Sequence, residues 1–161
     1  FTFNDDWGSG RGFIWSRGLS YYSKLPLYKK AVGIGPDLLL PEMIDYCGDE
    51  SLEKFDVYYD NMHNELLQDL LTYGAVGVLM LLIWWCQMLR RIWRRSCEDP
   101  LSLLVFVMML CYSVQSLVNI STMSVKGILM VWVFLAIGQG CQGSPVNKGR
   151  LAATKSLAVE P

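Results

Sequence analysis

Two stretches of this chain carry no charge over lengths that match a bilayer: "TYGAVGVLMLLIWWCQML" at 72–89 and "PLSLLVFVMMLCYSVQSLVNI" at 100–120. A helix crossing the hydrocarbon core needs about 20 predominantly apolar residues, within a range of about 17–25. A third run, "GILMVWVFLAIGQGC" at 127–141, is short by that measure. Starting it at Val125 brings it to the lower limit, because the Lys126 stem can snorkel toward water. The competing reading of each run is a buried core helix. Charge sorting argues against it: residues 1–71 hold six bases and twelve acids, whereas every longer uncharged run lies beyond them. The expected fold class is therefore an all-α integral membrane protein. An extracytoplasmic loop segment with short helices (1–71) precedes a transmembrane region (72–141) of three transmembrane helices, spans 72–89, 100–120 and 125–141. A disordered cytoplasmic tail follows at 142–161.

Orientation follows from "RRIWRR" at 90–95, directly after the first span. Four arginines in six residues mark the cytoplasmic side. The first span then runs inward, the second returns, and the third goes back in, which places Lys148, Arg150 and Lys155 of the tail inside as well. The turn "STMS" (121–124) and the whole acidic segment 1–71 fall outside, giving a multi-pass protein of the cell membrane. Residues 1–20 lack an apolar core, so no signal peptide is read there.

The outer segment reads as loop with short helices. "RGFIWSRGLSYYSKL" (11–25) is compatible with a helix lying on the membrane surface, and "GIGPD" (33–37) with a tight turn. As a phosphate loop the latter is weak, since Pro36 has no N–H to offer. "GDESLEKFDVYYD" (48–60) reads as irregular, and a helix beginning at Asp60 or Asn61 continues into the first span. The five cysteines form no disulfide framework: only Cys47 lies in the outer segment, and no Cys/His spacing suits zinc. Asp37, Asp56 and Asp60 make no DxD pair, so no metal and no cofactor is expected.

Three segments in order, "SGRGFIW" (9–15), "AVGIGPD" (31–37) and "HNELLQDLLTYGAVGVL" (63–79), resemble the O-antigen ligase and polymerase family of membrane proteins. In that family a large extracytoplasmic loop carries an SGR..W stretch, a glycine turn, and an HN..LQ helix with downstream glycines, here Gly74 and Gly77. The likeness covers residues 8–140, and the HN..LQ segment is its specific part. The chain starts inside the loop, without the transmembrane helices that precede it in the family. It therefore looks like the C-terminal portion of a longer protein, an incomplete enzyme by itself.

The resemblance implies a glycosyltransferase of polysaccharide or lipopolysaccharide biosynthesis in the cell envelope. It would move a glycan from an undecaprenyl-diphosphate carrier to an acceptor hydroxyl on a lipid-linked sugar, a glycan chain or a protein. The partners implied are that donor, the acceptor and the lipid bilayer, with no nucleic acid. A lipid diphosphate leaving group calls for fixed positive charge, and a guanidinium meets phosphate oxygens with a planar pair of donors. Arg11 matches the family's loop arginine, with Arg17 as its assistant. The acceptor hydroxyl needs a general base. His63, the only histidine, is expected in the first turn of its helix, where the dipole favours the neutral imidazole. On spacing alone a histidine there is a capping or surface residue; the HN..LQ context makes it the catalytic candidate. Asn64 and Gln68 share a helix face and either orient substrate or make structural hydrogen bonds. The alternatives are a polysaccharide polymerase of the same family, or a non-catalytic membrane subunit or transporter of lipid-linked glycans. A transporter should bury charge within its spans, and these are almost free of it.

Overall fold

The computed structural model describes residues 4–97, 99–119 and 123–142. All regular structure among them is helical: α1 (Arg11–Lys24), α2 (Leu27–Val32), α3 (Leu39–Phe55), α4 (Glu65–Ser96), α5 (Pro100–Ser116) and α6 (Met123–Gln142). They divide into two compact units, Phe1–Trp85 with Tyr112–Ser121, and Cys86–Cys111 with Thr122–Pro161. Among the described residues only α4 is long and apolar enough to cross a membrane, and shorter apolar helices cover Pro100–Ser116 and Val125–Gly138. Of the expected tail at 142–161, Gln142 is the last residue of α6 and the rest lies outside the described residues. Of the expected turn at 121–124, Met123 and Ser124 are helical and the rest lies outside them.

The short helices expected within 1–71 are present as α1, α2 and α3, and α1 shares a packed core with α3 instead of lying on a surface. Phe13, Ile14 and Tyr21 of α1 do not lie on a surface; they are buried with Leu39, Met43 and Cys47 of α3 and with Met62, Leu67 and Leu71. Fully burying an aliphatic or aromatic side chain contributes about 1.5–3 kcal/mol, so this cluster outweighs the polar character of the segment. Residues 48–55 are likewise helical, as the second part of α3. Their acids face outward while Gly48 and Ser51 are buried, so the polarity belongs to one helical face. A kink at Cys47 (φ −149°, ψ 21°) separates that part from the first.

α4 is two arms joined at Gly74, whose backbone (φ 69°, ψ −178°) is outside the helical range. Glu65 and Trp85 would stand roughly 30 Å apart on a straight helix. Yet the Glu65 carboxylate is 2.8 Å from the Tyr112 hydroxyl, and the Trp85 ring centroid is 5.5 Å from that of Tyr112. The arm 65–73 therefore folds back beside the arm that begins at Ala75. At the bend the Leu71 and Thr72 carbonyls accept from the N–H groups of Ile34 (2.9 Å) and Gly35 (3.0 Å). The contact is backbone on backbone. A Cβ on Gly33 would strike the Thr72 carbonyl, and one on Gly74 would strike Ala31.

In the second unit the Trp93 ring lies 4.9 Å from that of Phe106. The Arg95 guanidinium donates to the Ile137 carbonyl (2.7 Å), tying α4 to α6.

Candidate active site around His63

The chain leaves α3 through Asp56 (φ 54°) and passes back along α1 to Met62, which is fully buried. Met62 is held at three points. Its N–H donates to Gln68 Oε1 (3.0 Å), and its carbonyl accepts from Trp15 Nε1 (2.6 Å). Its sulfur packs where Gly18 leaves room, since a Cβ there would sit 2.8 Å away. The sequence "DNMHNE" offers Asp60, Asn61 and Asn64 as helix caps. The structure uses Asn64, whose Oδ1 accepts from the Leu67 N–H (2.9 Å), a bond worth about 1 kcal/mol.

His63 thus precedes the cap instead of occupying the first helical turn, which corrects the expected start at Asp60 or Asn61. The reason is its backbone. With φ 48° it is left-handed, a conformation from which no helix propagates backward. Its N–H donates to Asn61 Oδ1 (3.1 Å), and the residue is half-buried. A left-handed non-glycine residue costs of order 1 kcal/mol. Met62 on one side and Asn64 on the other, both fixed by hydrogen bonds, hold it there.

Asn64 and Gln68 are engaged by protein groups. Besides its capping oxygen, Asn64 uses Nδ2 to donate to the Leu117 carbonyl (2.8 Å), and Gln68 Oε1 accepts from Met62. Both therefore place the His63 backbone. Glu65, beside them, is buried (8% exposed), with Tyr112 Oη donating across its two oxygens at 2.8 Å each. Sequence reasoning passed over this pair. The available signal was a tyrosine, a serine and a glutamine (Tyr112, Ser113, Gln115) inside an otherwise apolar run.

The two arginines differ. Arg17 forms a two-pronged pair with Glu50, Nε to Oε2 at 2.8 Å and a second close contact from its terminal nitrogen to Oε1, and lies over the Phe13 ring at 5.2 Å. The Glu50 bond raises the Arg17 pKa, and the guanidinium holds the Glu50 carboxyl below the usual carboxylate range. The pair braces α1 against α3. Arg11 opens α1 behind Gly10 (φ 87°) and has no ion pair or side-chain hydrogen bond among the described residues. It lies four residues before Trp15, on the helix face that meets Met62. Among the described residues the Arg11 guanidinium has no partner, whereas that of Arg17 is occupied.

The separate "SGRGFIW", "AVGIGPD" and "HNELLQDLLTYGAVGVL" segments are thus brought into one unit: Trp15 on Met62, and Ile34 and Gly35 on the Gly74 bend. No family model, curated protein or solved structure matches the chain.

Proposed function

We propose that the chain is the C-terminal part of a membrane glycosyltransferase of the O-antigen ligase kind. It would transfer a glycan from an undecaprenyl-diphosphate carrier to an acceptor hydroxyl outside the cell membrane. The observation that carries this reading is that the first two motif segments each pack on the third or its lead-in: Trp15 donates to the Met62 carbonyl beside His63, and Ile34 and Gly35 donate to the Leu71 and Thr72 carbonyls at the Gly74 bend. In support of a membrane setting, only 22% of the apolar stretch of α4 is buried. Leu79, Met80, Val107, Val114, Ile128 and Phe134 are large apolar residues left exposed along α4, α5 and α6. A helix that is apolar all round belongs in lipid or among further helices.

The chemistry follows from the groups at hand. The His63 imidazole takes the acceptor hydroxyl proton as the oxygen bonds to the anomeric carbon of the donor. The bond from that carbon to the carrier diphosphate breaks, and the departing anion is held by the Arg11 guanidinium. Arg17 serves as the brace described above, while Asn64 and Gln68 keep His63 in register.

The test is His63→Gln and His63→Ala in the full-length protein, with membrane abundance measured in the same cells. Transfer should fall by about 10²–10⁴-fold, the range for losing acid–base help, at unchanged abundance. Glutamine keeps a hydrogen bond to the acceptor but cannot take its proton, so full transfer by His63→Gln would overturn the base assignment.

A further inference from the structure

The arm of α4 that begins at Ala75 ends in a basic cluster that the proposed transfer reaction does not use. Arg90, Arg91, Arg94 and Arg95, with Gln87 and Met88, line an open cavity of about 440 Å³. Spacings of four residues (90 to 94, 91 to 95) stack the guanidiniums on adjacent turns, an arrangement of like charges that destabilises a helix. Arg95 is committed to the Ile137 carbonyl. Arg90, Arg91 and Arg94 are exposed and have no ion pair among the described residues. Asp99, the nearest described acid in sequence, spends its carboxylate on Ser102 and on the N–H of Leu101. The opposite face is anchored by Ile92 (1% exposed) and Ser96, so the cluster points away from the packing.

From this we infer that Arg90, Arg91 and Arg94 form a phosphate-binding site, taking the headgroup phosphate of an anionic phospholipid. Several guanidiniums without carboxylates match phosphate oxygens, which accept paired N–H donors. A bound anion also relieves the repulsion within the cluster. Trp93, 55% exposed beside the cluster, suits a membrane interface. The choice of a lipid as the source of the phosphate rests on the membrane reading above; the phosphate chemistry does not.

The experiment uses the full-length protein and its Arg90→Gln/Arg91→Gln/Arg94→Gln variant, with an all-lysine variant at the same positions. In one arm, native mass spectrometry compares retention of phosphatidylglycerol and phosphatidylcholine after reconstitution. In the other, binding of inorganic phosphate to detergent-solubilised protein is titrated. Carbonate extraction reports bilayer insertion separately. Wild type should retain phosphatidylglycerol preferentially, and the preference should fall by roughly fivefold per glutamine substitution, given about 1 kcal/mol for each base near an anionic surface. The lysine variant should keep most of it.

If inorganic phosphate binds wild type and not the glutamine variant while lipid preference is absent, the site is a phosphate site fed from solution. Should the glutamine variant fail to accumulate, equal retention of the two lipids by wild type together with no phosphate binding overturns the inference. Equal lipid and phosphate behaviour of wild type and glutamine variant overturns it as well. A chain extracted by carbonate defeats the membrane reading, and the phosphate titration still decides the site.

Discussion

At the scale of single residues, His63 combines a left-handed backbone with a half-buried side chain. This allows structure and chemistry to be separated. His63→Gly removes the strain, worth of order 1 kcal/mol, less the extra chain entropy glycine brings to the unfolded state. The expected result is a thermal midpoint equal to or above wild type, with glycan transfer lost. A clear drop in the midpoint would mean that the imidazole is a structural support. The HN..LQ pattern singles out His63 but does not reveal its position outside the helix, because "DNMHNE" contains three competent caps. Tertiary bonds from Trp15 and Gln68 to Met62 decide among them. Arg17 is a similar case: its partner Glu50 is 33 residues away, and no local pattern pairs them.

At the scale of elements, the apolar run from Thr72 correctly announced a helix but hid its bend. Gly74 within such a run reads as a tolerated helical glycine; its φ of 69° is set by a loop forty residues upstream. Substitution makes the difference measurable. Gly74→Ala adds a Cβ that strikes Ala31 and strains the backbone, and it threatens the bonds from Ile34 and Gly35, each worth about 1 kcal/mol. A loss of about 2–4 kcal/mol is expected, read as a lower thermal midpoint and faster proteolysis of 33–38. Gly127→Ala in α6 is the matched control. A Cβ there meets nothing within 4 Å, and alanine favours helix by about 1 kcal/mol, so its midpoint should hold or rise. Equal behaviour of the two variants would refute the bend.

At the scale of the whole molecule, sorted charge and uncharged runs made the helical class readable, while the packed core within 1–71 was not. Its apolar residues are spread over α1, α3 and the residues after Met62, with no run long enough to stand out. The proposed topology predicts a labelling pattern. Cys47 is a poor reporter because it is buried and burial pushes its thiol pKa up. Ser51 is also buried, whereas Glu53 is exposed. In intact cells a membrane-impermeant maleimide should label Glu53→Cys and spare Cys97, which is exposed on the protein but expected on the cytoplasmic side. Labelling of Cys97 alone would invert the topology and remove His63 from the donor's side.

The bend at Gly74 also limits how such a chain can drift over generations. Surface loops are where proteins usually gain and lose residues without harm. The stretch 33–35 is a loop by shape, yet its successive amides meet the successive carbonyls of Leu71 and Thr72. One inserted residue would misalign every pairing and push a side chain into a space only glycine fits. In descendants of this chain the glycine loop therefore keeps its length.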